Sequence, residues 1–373
     1  MTLVLNEEQR LLKDTAKDFL NSAMPVSALR QLRDKKDSLG YSREHWQQMV
    51  ELGWASMVLP EAYDGLDFGY MGLGAVIEES GRTLAASPLF STVVLCSTII
   101  VEGGNEEQKS ILLPRIAAGD LNMALALEES PHHQPSGFTT TAIADGDDFI
   151  IQGEKLFVLD GHSAEQLIVA TQLETGVGLF IVDANSTGIS RRRHHMIDSR
   201  NVATISFDQV RVKASALIAN AKRGQDILNT AMDYGRVCIA AEMLGGAIEC
   251  FERTVAYLKE RDQFGVKIGS FQALQHRAAK MFIELELSKS VVLDALSAID
   301  DKRADLPQLA SLAKARLNDV FELVTNEAVQ MHGGIGVTDE LEIGFFLKRS
   351  RSATQILGNS GFHRDRYASL CGY

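Results

Sequence analysis

In the stretch spanning residues 232–275, apolar positions fall at Val237, Ala241, Leu244, Ile248, Phe251, Val255 and Leu258, alternating steps of four and three. That rhythm predicts a helix with one buried stripe. Because the step averages about 3.5 residues, the stripe runs nearly straight along a helical bundle, and the Gly245-Gly246 pair lets a neighbour approach closely. Leu274, Ala278, Met281 and Leu285 mark a second stripe, and Ala313, Leu317, Val320, Val324 and Ala328 a third. With a last helix through Phe345, Phe346 and Ile356, the C-terminal part is expected to form a four-helix bundle with short connections.

The N-terminal part shows the same period. Asn6 is placed to cap a helix carrying Leu12, Ala16 and Phe19, with Glu7 and Glu8 in its first turn. A second amphipathic segment runs through Trp46, Met49 and Val50. Between the two helical blocks the period changes. Asp145-Gly146-Asp147-Asp148 reads as a hairpin turn, and Phe149, Ile151 and Gly153 alternate with Ile150 and Gln152. Residues 167–170, 178–182 and 204–212 read as strands, the last with a bulge near Asp208-Gln209. The expected fold class is α+β, multidomain and mainly α. An N-terminal helical domain covers 1–120, a middle antiparallel β-barrel or sandwich 121–225, and a C-terminal four-helix bundle 226–373.

Composition narrows the partners. With 45% hydrophobic residues and only seven prolines, the chain is an ordered globular protein, and its 373 residues suffice for a large core. A net charge of -12 argues against nucleic acid or an anionic membrane as the main partner, without excluding a local basic pocket for an anionic cofactor. Cys96, Cys238, Cys250 and Cys371 lack C-x-x-C spacing and read as reduced structural thiols. The acidic N-terminus shows no targeting peptide, and the apolar run at 89–101 is too short to span a bilayer, so a cytoplasmic protein is expected.

Candidate chemistry gathers where the first helix ends. Gly265 suits a chain reversal, and Arg261 sits where a helix C-terminus favours cations and where a guanidinium can hold a phosphate in two-point contact. Taken alone, the turn also reads as an ordinary helix terminus with a favourable charge. Three features occur in order, however: Arg261-x-x-Phe264-Gly265, Phe271-Gln272, and Gln330-Met331-His332-Gly333-Gly334-Ile335-Gly336. Together they resemble the C-terminal domain of the acyl-CoA dehydrogenase family. The loop through Leu59-Pro60-Glu61-Ala62-Tyr63-Asp64-Gly65 resembles that family's N-terminal signature, so the resemblance covers nearly the whole chain.

The resemblance implies FAD lying between the middle domain and the C-terminal bundle. Arg261 would hold the pyrophosphate with Phe264 packing beneath it, and Gln272, Gln330 and backbone at Gly333 and Gly334 would complete the dinucleotide end. Phe157 would cover the flavin ring. It further implies an acyl-CoA substrate, an electron-transferring flavoprotein as electron acceptor, and a homodimer, homotetramer or heterotetramer. A Rossmann site is excluded, since Gly-Gly-x-Gly here follows a helix rather than a strand. The pairs His132-His133 and His194-His195 offer no zinc spacing and are expected to face solvent.

Two departures from the family stand out. The Thr-Glu-Pro segment near the flavin appears as Leu127-Glu128-Glu129-Ser130-Pro131, with Glu128 in place of the hydroxyl, and Trp-x-Thr-Asn appears as Phe157-Val158-Leu159-Asp160. The usual catalytic Glu near the C-terminus is replaced by Gly358 in Ile356-Leu357-Gly358-Asn359-Ser360, and the alternative position before the supporting Arg236 is Gly235. Asp233 is the remaining carboxylate candidate, although it lies about 200° around the helix from Gly235. The resemblance implies α,β-dehydrogenation of an acyl-CoA thioester. The alternatives are a non-catalytic subunit of a mixed tetramer, as in some steroid and branched-acyl relatives that Gly81-Arg82-Thr83-Leu84-Ala85-Ala86-Ser87-Pro88 resembles, or a base-independent elimination on a CoA thioester.

Overall fold

The computed structural model describes residues 4–218 and 221–373. Six helices come first: α1 (Glu7–Ala23), α2 (Val26–Asp34), α3 (Arg43–Glu51), α4 (Tyr70–Thr83), α5 (Ser97–Gly103) and α6 (Glu106–Ala117). Seven strands follow: β1 (Met123–Ala126), β2 (Thr141–Asp145), β3 (Asp148–Leu159), β4 (Gln166–Leu173), β5 (Gly176–Asp183), β6 (Ile189–His195) and β7 (Asn201–Lys213). The remainder comprises α7 (Ala221–Glu260), a hairpin of β8 (Asp262–Gln263) and β9 (Val266–Lys267), α8 (Gln272–Asp300), α9 (Leu306–His332), α10 (Ile343–Gln355) and α11 (Ser360–Leu370). These form two compact units, one of residues 32–69 with 86–235, the other of the N-terminal residues to 31 with 70–85 and 236–373.

The first of these units is built on the sheet, ordered β1-β4-β2-β3-β7-β6 with β5 on β4. It is mixed rather than wholly antiparallel: β1 runs parallel to β4, and β2 meets β4 in parallel at Thr141 and Gln172. Ile151, Leu167, Val169, Phe180, Ile205 and Phe207 fill its core. Asp145 pairs with Asp148 across the expected turn, where Gly146 has φ +65°. The expected bulge is also present, as the β3–β7 register passes from Ile151 with Val210 to Gly153 with Phe207 while Gln209 adopts φ +53°. The apolar run at 89–101 is a π-helical stretch leading into α5, and Thr92 Oγ1 both donates to Met123 O (3.1 Å) and accepts from Met123 N (2.9 Å). Among the described residues no helix is long and apolar enough to cross a membrane.

The second unit is helical. Asn6 caps α1 through a reciprocal pair with Gln9, as its position predicted. Helix α7 is not amphipathic: beside the anticipated stripe, Cys238, Ile239, Ala240, Met243, Ala247 and Cys250 are buried too, so the middle of this helix is core on nearly every side. The close approach expected at Gly245 is made by α4. A Cβ on Gly245 would lie 1.8 Å from Glu78 O, and one on Gly81 would lie 2.0 Å from Glu242 O, so the two backbones cross in direct contact. Asp300, at the end of α8, accepts the first amides of α4, Tyr70 N at 2.6 Å and Met71 N at 2.9 Å. The expected last helix is broken into α10 and α11, because Leu357 at φ +56° and Gly358 at φ +114° cannot continue a helix.

Candidate cofactor and active site

The chain leaves α7 through a tight β-hairpin rather than a simple helix cap. Phe264 (φ +56°) and Gly265 (φ +80°) form its two-residue turn, a pair of left-handed conformations that matches strand twist. Arg261 closes the hairpin on the helix, its N–H donating to Tyr257 O (2.9 Å) and its carbonyl accepting from Ile268 N (2.9 Å). Its side chain is exposed, with no hydrogen-bond or ion-pair partner among the described residues. Phe264 is 90% exposed and meets Phe271 edge-on at 6.2 Å.

One turn before Arg261, Tyr257 stacks on His332 with ring centroids 4.3 Å apart. The end of α7 is thereby joined to the end of α9, immediately before Gly333 and Gly334. Burial holds the His332 imidazole below its ordinary pKa, and its Nδ1 is paired with Ala328 O at 2.7 Å. Gly333 has φ +64°, and a Cβ at either glycine would meet nothing within 4 Å, so the backbone is open to a ligand. Gln272, first in α8, and Gln330, in the last turn of α9, are exposed. An exposed unpaired guanidinium, exposed aromatics and an open glycine backbone fit the phosphates and rings of a dinucleotide.

The turn at Gly358, the position where the resemblance implies a glutamate, is constructed differently. Gly358 is buried, and a Cβ there would lie 2.5 Å from Phe362 Cδ1 and 2.8 Å from His363 Nε2. The turn's carbonyls are gathered by basic groups. Leu357 O accepts from Arg236 Nε (3.3 Å) and pairs with His363 Nε2 (3.0 Å), and Gly358 O accepts from Lys314 Nζ (3.1 Å) and Asn318 Nδ2 (3.4 Å). Lys314 also donates to Ala353 O, Thr354 O and Asn318 Oδ1. Complete burial, reinforced by the Arg236 charge, pushes its ammonium well below the usual lysine range. Arg236 and Gly358 are thus brought together. Asp233 is buried on the part of α7 that belongs to the sheet-bearing unit.

In that unit the carboxylates after β1 are engaged. Glu128 Oε1 is 2.5 Å from His133 Nδ1, and Gln134 N donates to its other oxygen at 3.3 Å. The solvent-facing role expected for His133 is therefore overturned: its side chain is buried, because the loop after β1 folds back to place it against Glu128. His194 is half-buried, with Nε2 2.7 Å from Thr204 Oγ1, whereas His195 is exposed as expected. Glu129 accepts from Thr139 N (2.5 Å), Thr140 N (2.9 Å) and Lys155 Nζ (2.7 Å). Burial pushes its carboxyl up, but these bonds outweigh that and hold it at about 2. Lys155 is fully buried, lies 4.3 Å from the Phe138 ring centroid, and is brought down by burial to about 8 against the pull of Glu129. Phe157, further along β3, is half exposed at φ +50°. Neither Lys155 nor Lys314 was singled out from the sequence. Lys155 carried a signal, since it shares the inward face of β3 with Ile151.

Residues 6–120 match the family model described as acyl-CoA dehydrogenase, N-terminal domain, and residues 222–369 the one described as acyl-CoA dehydrogenase, C-terminal domain. Acyl-CoA dehydrogenase fadE12 of Mycobacterium tuberculosis (strain CDC 1551 / Oshkosh) is 31% identical over 333 residues, 86% of this chain and 85% of that protein. A solved chain described as electron transferring flavoprotein of Acidaminococcus fermentans superposes with a TM-score of 0.93 at 27% identity, covering 100% of both chains. A variant of the Tcur3481-Tcur3483 steroid ACAD gives a TM-score of 0.89 at 30% identity, over 99% of this chain and 98% of that one. Helical segments before and after a mixed sheet along the chain, together with both matching family models, lead to one conclusion: the chain belongs to the acyl-CoA dehydrogenase family.

Proposed function

We propose that this chain binds FAD and oxidises an acyl-CoA thioester across its α,β bond, with electrons passed to an electron-transferring flavoprotein. The observation that carries the reading is the exposed, unpartnered Arg261 beside Phe264 and the Gly333-Gly334 backbone. Arg261 would pair the pyrophosphate, Gln272 and Gln330 would satisfy ribose and adenine, and Phe157 would cover the ring. FAD, when bound, supplies the hydride acceptor. Exposed Phe264, Phe282, Ile283 and Leu287 on the hairpin and α8 support a further subunit on this side, hence a homodimer or homotetramer, or a heterotetramer with a homologue. A cytoplasmic location is part of the same reading. The test is the visible absorption of the purified protein after incubation with FAD: a flavin band supports it, and a colourless, correctly assembled protein sinks it.

A second reading is favoured by the Gly358 turn, which has no carboxylate and no room for one. In it the chain is a non-catalytic subunit of a mixed tetramer, or serves an elimination needing no base at this position. The name of the solved Tcur3481-Tcur3483 relative, which joins two chains, supports the mixed assembly. Anaerobic bleaching of bound flavin by acyl-CoA thioesters separates the readings. Fast bleaching by the lone chain that is abolished in Asp233→Asn makes Asp233 the base. Bleaching that stays slow until a homologous partner is added favours the mixed tetramer.

A further inference from the structure

Within the sheet-bearing unit, the end of α2 and the loop after it face the end of β6 across a small cavity of 70 Å³. Arg33, Lys36, Arg193, His194 and His195 line it, and no carboxylate does. For a chain of net charge -12 this is an unusual concentration of basic groups. The nearby acids are committed elsewhere. Asp34 pairs with Arg33 (2.8 Å), Asp37 Oδ1 accepts the amides of Leu39 (2.9 Å) and Gly40 (2.8 Å), and Asp198 accepts the Arg200 amide (3.1 Å).

Arg193 is the group that decides the chemistry. Its Nη1 donates only to neutral carbonyls, Asp37 O (2.5 Å) and Ser38 O (2.9 Å), and its Nε is buried with no hydrogen-bond partner. Its charge is therefore placed without a carboxylate partner, and its buried Nε–H lacks an acceptor that an anion could supply. Gly40, at φ +78°, makes the placement possible, since a Cβ there would lie 2.6 Å from Arg193 Nη2. Lys36 and His195 are exposed, with no side-chain partner among the described residues. The cavity has room for a tetrahedral oxyanion.

We propose that this cavity binds a phosphate dianion, with Arg193 and Lys36 as its charged donors and His195 at its mouth. The phosphate comes either free or as the terminal group of a nucleotide that leaves its base in solvent. Calorimetric titration of the purified full chain at low ionic strength, with inorganic phosphate and separately with adenosine 3′,5′-bisphosphate, tests this. Saturable binding is expected, weakened about tenfold or more in Arg193→Gln and in Lys36→Gln, since each loses a charge-assisted contact. Inorganic phosphate binding as tightly as the nucleotide identifies the free ion as the ligand, and preference for the nucleotide identifies the linked phosphate. Absence of saturable binding by both probes, or binding that neither substitution changes, overturns the proposal. Should Arg193→Gln fail to fold because its carbonyl contacts are lost, the exposed Lys36→Gln and His195→Gln variants decide the matter alone.

Discussion

At the β8–β9 hairpin Arg261 is exposed and unpartnered, Phe264 stands in solvent, and the neighbouring glycines at 333 and 334 have open space above them. At the turn between α10 and α11, Arg236, Lys314 and His363 are all buried, and each is paired with a backbone carbonyl. Both regions place basic groups beside positive-φ backbone, yet one leaves its charge in solvent and the other uses its groups to fix the chain. A guanidinium that stays hydrated costs the fold almost nothing, whereas a buried ammonium must be surrounded by acceptors. The contrast leaves the hairpin's charge accessible and ties the turn at Gly358 down.

The strongest way to break this contrast is to force the turn open. Gly358→Glu combines a left-handed backbone with a Cβ against Phe362 and His363, so it should destabilise the protein by roughly 2–6 kcal/mol. Equilibrium urea unfolding measures this, and a variant as stable as wild type would show that the turn is not closed. Lys314→Met leaves four acceptors, at Ala353, Thr354, Gly358 and Asn318, short of a donor. A loss of about 2–3 kcal/mol is expected, partly offset by removing a desolvated charge; an unchanged melting temperature would deny the turn its anchor.

Arg261→Ala should act in the opposite manner. Folding of the apoprotein is expected to stay within about 0.5 kcal/mol of wild type, while FAD affinity falls by about 1.5–3 kcal/mol through loss of a charge-assisted contact. Flavin fluorescence titration reads the second quantity, and retention of full affinity would remove Arg261 from the site. Lys155 sharpens the comparison, because it is as buried as Lys314 but has a carboxylate partner. The Glu129 carboxyl, held at about 2 against an ordinary value of 4.5, gives stability that is complete above pH 4.5 and lost as pH falls toward 2. The stability difference between wild type and Glu129→Gln should therefore grow with pH across that interval and level off above it, and a difference independent of pH would refute the pairing. Phe264→Ser should change stability least, by less than about 0.5 kcal/mol, since the ring is exposed; a larger loss in thermal melts of the apoprotein would mean the hairpin is packed.

Local signals in the chain were legible where a residue acts through its immediate neighbours. Asn6 caps a helix three residues from its partner, Gly146 sits in a hairpin turn, and the bulge at Gln209 follows from a slip in alternation. The glycine at 245 announced a close approach without naming the neighbour. Lys155 and Lys314 were not singled out, and His133 was read as solvent-facing. Their state depends on acceptors supplied from other elements: Glu129 for Lys155, the turn after α10 for Lys314, and Glu128 for His133.

Periodicity, caps and turn residues by themselves determined the order of helical and β segments, because each depends on spacing within one stretch of chain, whereas Arg261 became a phosphate-binding candidate only through the family resemblance. Tertiary structure decided which charges are spent and which remain available. It buried α7 on nearly every side, divided the last helix at Leu357 and Gly358, and enclosed one lysine among carbonyls while leaving Arg261 in solvent. Burial and hydrogen-bond satisfaction are properties of surfaces that meet only on folding, and no spacing along a single chain records them.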